Sequence, residues 1–134
     1  MRIIENVISD RGSRYAVSGG VVAGRAGAES FLADLRRIRK FARATHNSWA
    51  VVLETEGRRD PLRNDDGESG VGTAILRMLE REGLVNHIVM VTRWYGGVKL
   101  GGDRFRIFAL GFIESNMDHP RKPSFFARLF GRPA

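Results

Sequence analysis

The chain has 134 residues, no cysteine, 43% hydrophobic and 28% charged residues, and a formal net charge of +7. This fits one globular domain and is too short for two well-cored ones. Without cysteine there can be no disulfide, thiolate nucleophile or thiolate metal site; no apolar run approaches the roughly 20 residues that cross a bilayer. The basic balance attracts polyanions such as RNA, ribosomes or anionic membrane surfaces, but charge alone names no partner.

Taken in order, residues 2–8 and 13–18 read as two β-prone strands around the polar loop Ser9-Asp10-Arg11-Gly12, an opening hairpin. Glu5 and Asn6 interrupt the apolar core that a secretory signal needs, so a cytoplasmic location is expected. Gly19-Gly20 are expected to weaken or bulge the second strand. From residue 28 to 44, Phe31, Leu35, Ile38 and Ala42 recur at helical spacing, widened by Leu32 and Phe41, which predicts one amphipathic helix. Its polar faces carry Arg36, Arg37, Arg39, Lys40 and Arg43. They read either as a solvated face or as an electrostatic docking surface.

Trp49-Ala50-Val51-Val52-Leu53 predicts a central strand, and the charged, glycine- and proline-containing residues 54–68 read as an exposed connection with a turn at 57–61. Asp65-Asp66-Gly67-Glu68-Ser69 then leads into a helix whose buried face is Val71, Ile75, Met78 and Leu79, with Ser69 as N-cap and Gly83 as its stop. Carboxylates at that position suit the positive helix end, by about 0.3–1 kcal/mol each. Ile88-Val89-Met90-Val91 predicts a buried strand, and residues 103–117 a last helix with Phe105, Phe108, Ala109 and Phe112 on one face. The domain is therefore expected to span residues 1–117, followed by a basic, proline-containing tail at 118–134. Phe125, Phe126, Leu129 and Phe130 of that tail sit at helical spacing, to pack on the domain or dock a partner.

Between the last strand and last helix lies Arg93-Trp94-Tyr95-Gly96-Gly97-Val98-Lys99-Leu100-Gly101-Gly102-Asp103-Arg104-Phe105. Paired glycines ahead of a helix bring backbone N–H groups together, and Arg93, Lys99 and Arg104 add positive charge, so a phosphate could sit there. The same glycines also suit a tight crossover with Asp103 as cap, and the spacing is that of neither a P-loop nor a dinucleotide fingerprint. His46 with Asp65, Asp66 and Glu68 could form an acid–base or metal set. A hydrogen-bonded junction accounts for them better, because no second histidine stands at ligand spacing. No catalytic, metal-ligating or cofactor-binding residue is assigned, and binding is favoured over catalysis. A hydrolase using His46 with Asp65 or Asp66, or a protein–protein adaptor, is the alternative.

Asp10-Arg11-Gly12-Ser13-Arg14-Tyr15, Ala44-Thr45-His46-Asn47-Ser48-Trp49-Ala50, Asp65-Asp66-Gly67-Glu68-Ser69 and the Arg93 to Phe105 stretch occur in the order seen in the IMPACT N-terminal domain family, also called YigZ or UPF0029. The resemblance covers roughly residues 9–116 and is nearer the eukaryotic IMPACT branch, although Gly102 stands where that branch commonly has proline. The flanks differ more, with no room expected for an N-terminal RWD domain or a C-terminal ferredoxin-like one. The resemblance implies an α+β fold, a two-layer mixed sheet with helices on one face, like the second domain of ribosomal protein S-five and domain IV of elongation factor G. It implies a link to translation, since the eukaryotic proteins restrain the amino-acid-starvation kinase by competing for its ribosome-associated activator. RNA, the ribosome or a translation-factor protein are then the expected partners. Arg36, Lys40, Arg93, Lys99 and Arg104 are the binding candidates. His46, Asn47, Asp65, Asp66, Gly67, Glu68, Trp94, Tyr95, Gly96, Gly97, Gly101 and Asp103 are taken as motif residues with structural roles.

Overall fold

Among the described residues, short β-prone runs separated by polar turns give five strands, ordered β1-β2-β5-β3-β4 in one sheet. A computed structural model describes residues 1–10 and 13–95. In chain order these are β1 (Arg2–Asp10), β2 (Ser13–Val21), α1 (Gly24–Arg37), α2 (Arg39–Ala42), β3 (His46–Thr55), β4 (Arg58–Asn64), α3 (Val71–Arg81) and β5 (His87–Trp94). The expected hairpin turn at Arg11-Gly12, the 103–117 helix and the 118–134 tail with Phe125 to Phe130 lie outside the described residues.

The α+β class expected from the sequence is the observed one, with two differences in layout. All four ladders among the described strands are antiparallel, so the sheet is antiparallel rather than mixed. Helices also cover both of its faces instead of one. Tyr15, Val17, Ala50, Val52, Val89 and Val91 pack under α3 through Val71, Ile75, Met78 and Leu79. The alternate residues Ala16, Val51, Leu53, Ile88 and Met90 meet Phe31, Leu32, Leu35 and Phe41 of α1 and α2. Period-two alternation makes this division obligatory once both faces are buried. It also explains the continuous apolar run of β5, the middle strand, which is buried from His87 to Arg93.

Three local expectations change. β2 runs straight through Gly19 and Gly20, which pair with Val89 and Ile88. Gly20 lets α1 approach, because a Cβ there would stand 3.3 Å from the Phe31 ring. The single helix over 28–44 is two helices, broken at Ile38, whose backbone is extended at φ −80° and ψ 111°. The break leaves Ile38 37% exposed and buries Phe41 to 1%. Phe41 is the larger apolar group and reaches the Trp94 ring at a centroid distance of 5.3 Å, so the exchange favours burial.

The third change is β4, a strand where a connection was expected. It is an edge strand with mostly exposed residues, so its charge does not oppose pairing, and Pro61 is tolerated at an edge. Thr55 pairs with Arg58 across a two-residue turn, and both turn residues, Glu56 at φ 51° and Gly57 at φ 77°, are left-handed. That is the type I′ geometry that matches strand twist. Asparagine tolerates this region better than glutamate. Glu56→Asn is therefore expected to raise stability by about 0.5–1 kcal/mol, read as a higher midpoint of urea unfolding with an unchanged slope.

Candidate functional site

Strand pairing alone gathers the centre of the sequence motifs into one row. Arg93 of β5 stands opposite Tyr15 of β2 on one side and His46 of β3 on the other. All three face the layer of α3, where the loop before that helix delivers Glu68. Arg93 is 3% and Glu68 4% exposed, and the Arg93 Nη1 donates to Glu68 Oε1 at 2.6 Å. The Arg93 guanidinium carbon lies 5.8 Å from the centroid of the Tyr15 ring and 5.7 Å from that of Tyr95. His46 Nδ1 is 2.7 Å from the Asp66 carbonyl oxygen, which can only accept, so that nitrogen carries the proton and donates. Its Nε2 then faces Glu68 Oε1 at 3.5 Å.

The rest of the acidic turn is spent on backbone. The Asp65 carboxylate accepts from the N–H groups of Gly70 at 3.1 Å and Gly72 at 2.8 Å, at the first turn of α3. Asp65, not Ser69, therefore caps this helix, and it does so from five and seven residues upstream, with Gly70 at the N-cap position. Its backbone carbonyl accepts from Ser48 Oγ at 2.7 Å. Asp66 Oδ2 accepts from the Asn47 N–H at 2.7 Å, and the Asn64 side chain accepts from the Asp66 N–H at 2.8 Å. Gly67 is left-handed at φ 87°, and a Cβ there would stand 3.0 Å from the His46 ring. Gly72 was missed by the sequence reading: its Cβ would collide with the Asp65 carboxylate at 2.8 Å, so glycine lets helix and cap meet.

On the opposite face, Asn47 bridges two elements. Its Oδ1 accepts from Thr92 Oγ1 at 2.8 Å, and its Nδ2 donates to the Phe41 carbonyl at 3.1 Å. Trp94 Nε1 donates to the Lys40 carbonyl at 2.8 Å, and Lys40 Nζ sits 5.6 Å from that ring centroid. The Tyr95 N–H donates to Thr45 Oγ1 at 2.9 Å.

Arg93, a binding candidate by sequence, is thus interior and ion-paired instead of exposed. Its partner is 25 residues away, beyond any local spacing rule. Arg36 and Lys40 are exposed, together with Arg37, Arg39 and Arg43. The nearby carboxylate of Asp34 pairs with Arg37 at 3.3 Å. Gly96, Gly97, Lys99, Gly101, Asp103 and Arg104 lie outside the described residues. The carboxylates of Asp65 and Asp66, candidates for acid–base work, are hydrogen-bonded to backbone N–H groups, and among the described residues no cluster of His, Asp and Glu is arranged to hold a metal.

Comparison with known proteins follows the same residues. The profile of the family described as the Impact N-terminal domain matches residues 11–111. The Protein IMPACT homolog of Caenorhabditis elegans is 36% identical over 104 residues, covering 75% of this chain and 40% of that protein. Protein IMPACT of Homo sapiens is 36% identical over 101 residues, covering 74% of this chain and 32% of its own. The chain therefore spans well under half the length of these curated relatives. Among solved structures, a hypothetical protein superposes with a TM-score of 0.71 at 23% identity over 85% of this chain and 56% of that one, a likeness of fold. The two-domain translational regulator Yih1 superposes with a TM-score of 0.53 at 29% identity over 84% of this chain and 43% of its own.

Removing one partner of the buried pair strands the other's charge. Arg93→Ala is expected to cost about 3–5 kcal/mol in urea unfolding, whereas the apolar pair Glu68→Leu/Arg93→Met should recover most of that loss. A double variant as unstable as the single one would show that the ion pair is not the source of the effect. Gly67→Ala, which meets both the left-handed backbone and the His46 ring, should cost about 1–3 kcal/mol by the same measurement.

Proposed function

This chain belongs to the Impact N-terminal domain family, and from that premise we propose that it is a non-catalytic binding module of translational control. On this reading it engages RNA, the ribosome or a translation-factor protein through the basic surface of α1 and α2. The observation that carries the reading is the run of five exposed cations, Arg36, Arg37, Arg39, Lys40 and Arg43, within eight residues at the broken end of α1. Asp34 pairs with Arg37 among them. Cations at a helix C-terminus gain from its dipole, but only in the last turn and by about 0.3–1 kcal/mol each. Five side by side repel one another, and a polyanion relieves that repulsion.

The relatives support the translational part of the reading, since Yih1 is a translational regulator by its own description. Support for binding over catalysis comes from the junction, where His46, Asp65, Asp66 and Glu68 are engaged in holding strands, turn and helix together. A cytoplasmic setting, where translation occurs, is part of the proposal. No helix among the described residues is long and apolar enough to cross a membrane.

The test is co-sedimentation of the full chain with salt-washed ribosomes at rising salt. Binding should fall steeply, by a slope of about 0.7–0.9 in log affinity per log salt for each phosphate contacted. Arg36→Glu/Lys40→Glu should lower affinity at least about tenfold while leaving the unfolding midpoint nearly unchanged. Salt-independent binding, or binding indifferent to the double reversal, would remove the basic surface from the function.

A further inference from the structure

The N-terminal end of α3 is occupied by the junction around Glu68; its C-terminal end borders a cleft. The cleft opens where that end of α3 passes edge strand β4, and its volume is about 220 Å³. Val52, Pro61, Leu79 and Leu84 give it an apolar lining, of which Val52, Leu79 and Leu84 are buried. Gly83 also lines it, and a Cβ there would meet nothing within 4 Å, so this side is open to solvent.

Two opposite charges share the lining, Arg59 of β4 and Glu80 of α3, both on exposed residues. They do not neutralise one another. Arg59 Nε lies 3.7 Å from Oε2 of Glu54, its neighbour across the β3–β4 ladder, which is too long for a hydrogen bond. The guanidinium therefore keeps its donors for another carboxylate. Among the described residues no side chain pairs with the Glu80 carboxylate, which sits in the last turn of α3. Carbonyls at that end already carry partial negative charge, so a carboxylate there is unfavourable without a cation of its own.

An occupant that matches the cleft must bring an apolar body for the lining, an anion for Arg59 and a cation for Glu80. A fatty acid, an aliphatic amine or a peptide terminus brings one of the two charges. An aliphatic α-amino acid brings both, with its side chain, on a single carbon. The volume lies below the roughly 300–1,000 Å³ of drug-sized sites, as suits a ligand of that size.

We propose that the cleft between β4 and the end of α3 binds a free branched aliphatic α-amino acid, its carboxylate on Arg59, its ammonium on Glu80 and its side chain against Val52, Leu79 and Leu84. The site is separate from the basic surface, because Val52 and Leu79 belong to the core on the α3 side, whereas α1 and α2 pack on the opposite face. It does not depend on the binding reading above.

Amide NMR spectra of the full chain during titration with L-leucine test it. The Arg59, Gly83 and Leu84 amides should shift and saturate with a Kd of about a millimolar. Glycine lacks the apolar branch, isocaproate the ammonium and isoamylamine the carboxylate, and each should bind at least about tenfold more weakly. Arg59→Gln and Glu80→Gln, both at exposed positions, should each cost about tenfold in leucine affinity while leaving the urea midpoint and ribosome co-sedimentation as in the parent. Absence of saturable shifts at these amides overturns the site, as does leucine affinity indifferent to both substitutions. Isocaproate or isoamylamine binding as tightly as leucine overturns the amino-acid assignment.

Discussion

The 2.6 Å contact between Glu68 and Arg93 joins the turn before α3 to the end of the middle strand with both side chains out of solvent. A pair in that position adds little net stability, because desolvating two charges offsets most of their attraction. What it does is penalise every arrangement that separates them. If the turn shifted, Glu68 would be a buried carboxylate without its cation; if β5 slipped by one residue, Arg93 would cross to the α2 face and leave Glu68 behind. Strand register, the seating of α3 and the orientation of the His46 and Tyr95 rings are all referred to this contact. The Asp65 cap and the Gly67 and Gly72 close approaches are the covalently nearby means of bringing Glu68 to it.

Much of the frame was legible because burial leaves periodic traces. α3 follows from Val71, Ile75, Met78 and Leu79, and β5 from an unbroken apolar run that only a strand covered on both faces carries. The same run implies cover on both sides of the sheet, where the family resemblance implies helices on one. Edge strand β4 escaped because its residues answer to solvent and not to a core, although Glu56-Gly57 between two strand-length segments has the form of a two-residue hairpin. The break at Ile38 was hidden by an apolar stripe that runs on past it; what decides the break is Phe41 finding Trp94, 53 positions along the chain.

The site was legible as a set of motifs and illegible as a set of roles. His46, Asp65, Asp66 and Glu68 are drawn together, but which of them caps, which bridges and which is ion-paired depends on β2, β3 and β5 lying side by side. Arg93 is the sharpest case. An arginine at a strand end before two glycines reads as surface, and nothing within a turn of it in sequence announces Glu68. The consequence for function is a division of labour among cations. Arg93 serves the interior, while those of the α1–α2 corner lie on exposed residues.

The strand order has a further consequence for how the protein is made. β5 is the last described strand to leave the ribosome, yet it lies in the middle of the sheet, between β2 and β3. Until it emerges, β1–β2 and β3–β4 are two separate hairpins, and the edges of β2 and β3 that β5 will pair are open. The nascent chain therefore cannot complete its sheet from the N-terminus forward. Folding waits on a single late insertion with long sequence separation, a topology that slows the search and prolongs exposure of sticky edges. Completion of the sheet formed by the described strands is therefore governed, on the ribosome, by the arrival of residues 87–94.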